Sequence, residues 1–146
     1  MKIESDIFLN NEKIPVQYTC DGESKPIPLK ISDVSVEAKS LALIVDDPDA
    51  PNGDFVHWLV WNIDPKTLII GNEEILDGAV EGLTSLNKKG WVAPCPPSGV
   101  HHYNFKLYAL DIILSLSESS TKADLINAMN GHIIDSATLT GLYGRN

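Results

Sequence analysis

Five side chains able to carry or share a proton stand at the edges of two proline-rich loops. Asp47 and Asp49 belong to Asp46-Asp47-Pro48-Asp49-Ala50-Pro51, and His101 and Tyr103 follow Pro94-Cys95-Pro96-Pro97-Ser98-Gly99-Val100. His57 lies inside the apolar run Phe55-Val56-His57-Trp58-Leu59-Val60-Trp61. Carboxylates beside imidazoles favour the charged ring, and a phenol adds a neutral donor, so together these groups suit a small polar or anionic ligand. Proline lacks an N–H and fixes φ, which stiffens the loops that would frame such a site. Taken singly, each residue has a plainer reading. His57 alone reads as a hydrogen-bonded structural histidine, and Asp-Pro often opens a turn, so Asp47 or Asp49 could simply accept backbone N–H groups. The joint occurrence of acids, imidazoles and a phenol beside rigid loops tips the reading toward a binding site.

The same residues admit an enzyme. His57, His101 and one aspartate could form a two-histidine, one-carboxylate metal site and support a metal-dependent hydrolase, although no spacing in the chain is specific for a metal. Cys95 with a nearby histidine could be a nucleophile, but no activating helix or cation is visible, and Ser98 lacks the nucleophile-elbow pattern. Cys20 and Cys95 make neither a disulfide framework nor a metal pair by spacing and are expected as free thiols in a reducing cytosol. No catalytic residue, metal or cofactor is expected.

The elements that must hold these groups are mostly strands. Turn signals recur at Asp21-Gly22, Asn52-Gly53, Asp64-Pro65, Gly71-Asn72, Asp77-Gly78, Lys89-Gly90 and Ser98-Gly99, with short apolar or alternating stretches between them. Leu41–Val45 and Phe55–Ile63 are continuous apolar runs, the pattern of strands covered on both faces. His101–Leu110 alternates, setting His101, Tyr103, Phe105, Leu107 and Ala109 on one face. Ile14–Thr19 reads as a weak strand. Thr121-Lys122-Ala123-Asp124 has the capping-box form ahead of Leu125, Ile126, Met129 and Ile133 at helical spacing, with Asn130-Gly131 as a stop. Residues 136–143 read as a second short helix turning into a strand. His102 and His132 are expected at the surface. The simplest architecture is mainly β: two packed sheets with one or two peripheral helices.

At 146 residues the chain is expected to be one domain, long enough to bury about 70% of its extended surface. Its 43% apolar and 21% charged residues are ordinary for a globular protein, while a net charge of −9 argues against nucleic acid and against an anionic membrane surface. No apolar run approaches the ~20 residues that span a bilayer. Met1-Lys2-Ile3-Glu4-Ser5-Asp6 carries acids where a signal peptide has a basic head, so a soluble, cytoplasmic protein is expected.

Two segments also resemble the signatures of the phosphatidylethanolamine-binding protein (PEBP) family, in its short bacterial and archaeal branch of Raf-kinase-inhibitor-like proteins. The first runs from Ala42 through Asp46-Asp47-Pro48-Asp49-Ala50-Pro51 to Ile63, and the second from Pro94 to Tyr103. Tyr18-Thr19-Cys20-Asp21-Gly22 and Gly141-Leu142-Tyr143-Gly144-Arg145 fit as well, so the likeness spans essentially the whole chain. His102 departs from the Arg common in eukaryotic members. The resemblance implies a β-sandwich of two antiparallel sheets with short C-terminal helices. It also implies a pocket for phosphate-like and phospholipid head groups, formed here by Asp47, Asp49, His57, Pro97, His101 and Tyr103. It further implies cis X-Pro bonds, with Asp47-Pro48 and Ala50-Pro51 as candidates, a homodimer, and a regulatory role as inhibitor of a kinase or protease. Asp49 is expected to orient His57 or brace the loop. Affinity for so small a ligand is expected between about millimolar and tens of micromolar.

Overall fold

Alternation of buried and exposed side chains builds the molecule around one large sheet. The computed structural model describes residues 1–71 and 76–145, and the Gly71-Asn72 turn signal runs past those limits. Nine strands are described: β1 (Lys2–Glu4), β2 (Glu12–Lys13), β3 (Leu29–Ser32), β4 (Ser40–Asp47), β5 (Phe55–Ile63), β6 (Ile69–Ile70), β7 (Val80–Glu81), β8 (Gly99–Leu110) and β9 (Ile133–Arg145). Six form one sheet in the order β2-β9-β8-β4-β5-β7, and a three-stranded sheet, β1-β3-β6, packs against it. All pairings are antiparallel except β2 with β9, which is parallel.

The large sheet is covered on both faces, as the continuous runs require. Leu41, Leu43 and Val45 of β4 join Phe105 and Leu107 of β8 in the core between the sheets, with Leu29 and Ile31 of β3 facing them. Ala42 and Ile44 point the other way, into a second core with Leu59, Trp61, Leu114 and the helix residues Leu125 and Met129. This helix, α1 (Lys122–Met129), begins at the expected capping box: Thr121 Oγ1 accepts from the Asp124 N–H, and Asp124 accepts from the Thr121 N–H. Among the described residues no helix is long and apolar enough to cross a membrane.

Two expected elements are different. Ile14–Thr19 is not a strand; it holds a single 3-10 turn over Val16–Tyr18, closed by Tyr18 N–H to Pro15 O and Thr19 N–H to Val16 O. Residues 136–143 contain no second helix. They lie within β9, which pairs with β8 from Leu110↔Ile133 to Gly99↔Arg145, and that long-range ladder satisfies their backbone groups. The helix therefore stops at Met129, and Ile133 belongs to the strand.

Candidate functional site

Strand parity brings three of the candidate side chains to one face. In the β4–β8 ladder Val45 pairs with Phe105 and Asp46 with Asn104, so Asp47 comes next to Tyr103, on the face that also carries His101. His57 reaches that face by a different device. Between β4 and β5, Val45 pairs with Trp58 but Asp46 pairs with Val56, which leaves His57 as the extra residue of a bulge. A bulge re-aims a side chain, and this one turns the imidazole out of the helix-side core occupied by Val56 and Leu59. Its ring then lies 4.8 Å from Phe55 and 5.2 Å from Tyr103, centroid to centroid.

The result is a cleft of about 570 Å³, within the size range of small-molecule sites. Asp47, His57, His101 and Tyr103 line it although each residue is less than a tenth exposed. Pro96, Pro97 and Cys95 form one wall, Ala50 to Phe55 another, and Leu86 is an exposed apolar residue of the lining.

Hydrogen bonds orient the groups of the cleft. Asp47 Oδ1 accepts from the Asp49 N–H at 2.8 Å, closing a turn across Pro48, while Oδ2 lies 2.6 Å from His101 Nδ1. The other His101 nitrogen, Nε2, is 3.1 Å from the Ser98 carbonyl. The Ser98 carbonyl can only accept, so Nε2 carries a proton and donates to it, and Nδ1 and the Asp47 carboxyl share the other hydrogen bond. His57 Nδ1 donates to the Val92 carbonyl at 2.6 Å. Burial lowers its pKa from the usual imidazole value, against the opposing pull of that carbonyl and of Asp47. His57 is therefore neutral at pH 7 and its Nε2 is a free acceptor. The Tyr103 hydroxyl is buried without a hydrogen-bond partner among the described residues. Burial, then the Asp47 carboxylate, pushes its pKa above the ordinary phenol range, so it stays a donor.

Of the expected site residues, the structure brings together Asp47, His57, Pro97, His101 and Tyr103. Asp49 is a correction: it lies outside the cleft lining and does not orient His57. Its carboxylate accepts from His102 Nδ1 at 2.7 Å and from the His102 N–H at 2.8 Å, because residues at odd and even positions of β8 face opposite ways. The hydrogen bond from the His102 ring holds the Asp49 carboxyl below its usual range. Asp49 thus braces the loop against β8. The peptide bonds are all trans among the described residues, so Asp47-Pro48 and Ala50-Pro51 lack the cis geometry; the Asx turn is made across a trans bond.

Cys20 and Cys95 are also corrected. They form a disulfide, their Cα atoms 5.4 Å apart across 75 residues of sequence. Folding brings the 19–24 turn beneath the second proline loop, where the Cys20 N–H donates to Pro94 O. The nucleophile reading of Cys95 loses its thiol. The two-histidine metal reading loses support too, since His101 has both nitrogens engaged.

Parity also separates two neighbouring acids. Asp46 faces the α1 side, where Lys106 and Lys122 reach its Oδ2 at 2.9 and 2.8 Å, and Lys122 also binds Asp54. Burial works against the Lys122 ammonium, yet Asp46 and Asp54 outweigh it and raise its pKa. Composition alone did not reveal this cluster, although strict alternation along 41–47 would have placed Asp46 opposite Asp47.

A two-sheet β protein with a preformed cleft of buried imidazoles, a carboxylate and a phenol is the class that fold and site define. The phosphatidylethanolamine-binding protein family model matches residues 4–144, and the chain belongs to that family. It is 45% identical to a UPF0098 protein of Methanothermobacter thermautotrophicus over 99% of both chains. It is 43% identical to one from Chlamydia trachomatis over 98% of both. Among solved structures it is similar to a PEBP homolog from Chlamydia trachomatis, with 41% identity, TM-score 0.95 and coverage of 99% of this chain and 97% of that one. It is also similar to Escherichia coli YbcL, described as a member of the mammalian PEBP family, with 27% identity, TM-score 0.91 and coverage of 99% and 98%.

Proposed function

We propose that the protein is a binding module for a small phosphate ester or phospholipid head group, held in the cleft of Asp47, His57, Pro97, His101 and Tyr103 and acting in the cytoplasm without catalysis. The observation that carries this reading is unused hydrogen-bonding capacity in the cleft: among the described residues the buried Tyr103 hydroxyl has no partner, and His57 Nε2 makes no hydrogen bond beside it. Leaving that buried hydroxyl unmatched costs about 1–3 kcal/mol, which a ligand offering it an acceptor recovers.

The charge inventory narrows the ligand. Among the described residues no lysine or arginine lines the cleft, whereas Asp47 and Asp54 do. A phosphate monoester near its second pKa of about 6 carries one proton, and in that form it can accept from Tyr103 and donate to His57 Nε2. Asp54 at the rim suits an ammonium group on the same ligand. Amide-shift titration with phosphorylethanolamine, beside inorganic phosphate and zinc, tests the reading. Shifts at Asp47, His57 and His101–Tyr103 that weaken as pH rises from 6 to 8 are expected, and Asp47→Asn should reduce binding or change that dependence. Silence with both phospho-compounds and a response to zinc alone would replace the module with the metal-dependent reading.

A further inference from the structure

The segment Pro94-Cys95-Pro96-Pro97, whose last three residues form one wall of the cleft, has little backbone to hold it. Three of its four residues lack an N–H, leaving the Cys95 amide as its only backbone donor. The wall is held instead from outside. The Cys20 N–H donates to Pro94 O at 3.0 Å, and the Cys20–Cys95 bond ties the wall covalently to the 19–24 turn. That turn is in turn fixed to β9, where Asp21 accepts from the Tyr143 hydroxyl at 2.6 Å and pairs with Arg145 at 2.9 Å. One residue beyond the wall, the Ser98 carbonyl is the acceptor that holds His101 Nε2. A shift of the wall therefore acts on the Asp47–His101 pair.

Both cysteines are exposed residues, unlike the buried disulfides that serve only to staple a core. Arg145 also extends Nη1 to 3.8 Å from Cys95 Sγ. A guanidinium beside a sulfur stabilises its thiolate and makes it the better leaving group. Access, a polarised leaving group and a position in the wall of the cleft come together at this one bond.

We propose that Cys20–Cys95 is a thiol-exchange site through which a dithiol reductant controls the cleft. The ligand half of this proposal rests on the reading of the cleft as a phosphate-ester site. A thiolate of the reductant attacks Cys20 Sγ, forming a mixed disulfide, and the Cys20–Cys95 bond breaks with its electron pair leaving on Cys95 as a thiolate beside Arg145. The second thiolate of the reductant displaces Cys20, closing the reductant's own disulfide. Both protein thiolates then take protons from water. Two electrons pass from the dithiol to the protein, and reoxidation by a disulfide of the same class reverses the steps. In the reduced state the wall loses its covalent tie to the 19–24 turn, Ser98 moves away from His101, and the cleft loses its preformed shape.

The test treats folded protein with dithiothreitol in the absence of denaturant, with released thiols counted over time and amide shifts recorded before and after. The expected result is release of two thiols with the amides of residues 102–110 and of β9 still native. Shifts should be confined to residues 19–24 and 92–101, and affinity for phosphorylethanolamine should be about fivefold or more weaker, the low end of coupling between linked sites. Arg145→Ala should slow thiol release several-fold. Thiols that appear only on unfolding would overturn the proposal, and so would release that leaves residues 92–101 unmoved. Cys20→Ser/Cys95→Ser, kept below its melting temperature, should reproduce the reduced spectrum; the oxidised spectrum instead would also overturn it. Oxidised protein that binds no phospho-compound refutes the phosphate-ester reading alone, and the shifts at 92–101 then decide the redox site.

Discussion

Replacing Tyr103 by phenylalanine separates the needs of the site from the needs of the fold. The residue is 1% exposed, its ring packs in the inter-sheet core, and its hydroxyl has no partner among the described residues. Phenylalanine keeps the ring contacts with His57 and His101 and removes only the oxygen. A buried hydroxyl left unsatisfied costs about 1–3 kcal/mol, so Tyr103→Phe should leave the free protein as stable as the parent or up to ~1 kcal/mol more stable, the residual allowing for relaxation around the missing atom. Binding should move the other way. A hydrogen bond to a charged group contributes about 1.5–3 kcal/mol, which is roughly tenfold to a hundredfold in affinity for phosphorylethanolamine. Urea denaturation measures the first quantity and amide-shift titration the second. A variant destabilised by more than ~1 kcal/mol with unchanged affinity would refute the reasoning, since the hydroxyl would then have a structural partner and no ligand.

Three further outcomes follow from the geometry. Burial lowers the His57 pKa, so the unfolded ring takes up a proton first. Its contribution to stability is present above the unfolded value of about 6.5 and is lost as pH falls through the lower folded value. Urea midpoints at pH 7.5 and 5.5 should therefore drop more for the parent than for His57→Gln, and equal slopes would sink that account. Asp46→Asn leaves Lys106 and Lys122 facing a neutral amide; the expected loss is about 2 kcal/mol, below the 3–5 of a fully buried pair because both ammonium groups reach water. A denaturation midpoint indistinguishable from the parent's would show the lysines to be indifferent to that charge. Cys20→Ser/Cys95→Ser opens a closure across 75 residues and should cost at most about 4 kcal/mol of stability, read as the urea difference from the oxidised parent.

Local pattern was enough for the parts of this protein whose conformation is decided by near neighbours. The alternation of His101–Leu110 placed His101 and Tyr103 on one face, and the buried positions of β8 follow it. Thr121 to Asp124 announced the start of α1, because a capping box closes within four residues. The two proline loops and the apolar runs beside them marked where a site could lie, and the signature segments marked the family. Other features depend on residues far apart in the chain. Residues 136–143 are strand because β8 offers them a ladder, though their own composition is ambiguous. The β4–β5 register, one residue out of step at His57, aimed into the cleft a histidine whose apolar run by itself reads as structural. Packing against α1 on one face and the small sheet on the other sent Asp46 and Asp47 to different partners. The meeting of Cys20 with Cys95 required the turn before β3 to fold under the loop before β8, and no spacing encodes that. Sequence specified the groups and the faces they occupy; register, bulge and long-range closure, which are properties of paired strands, decided which of those groups meet.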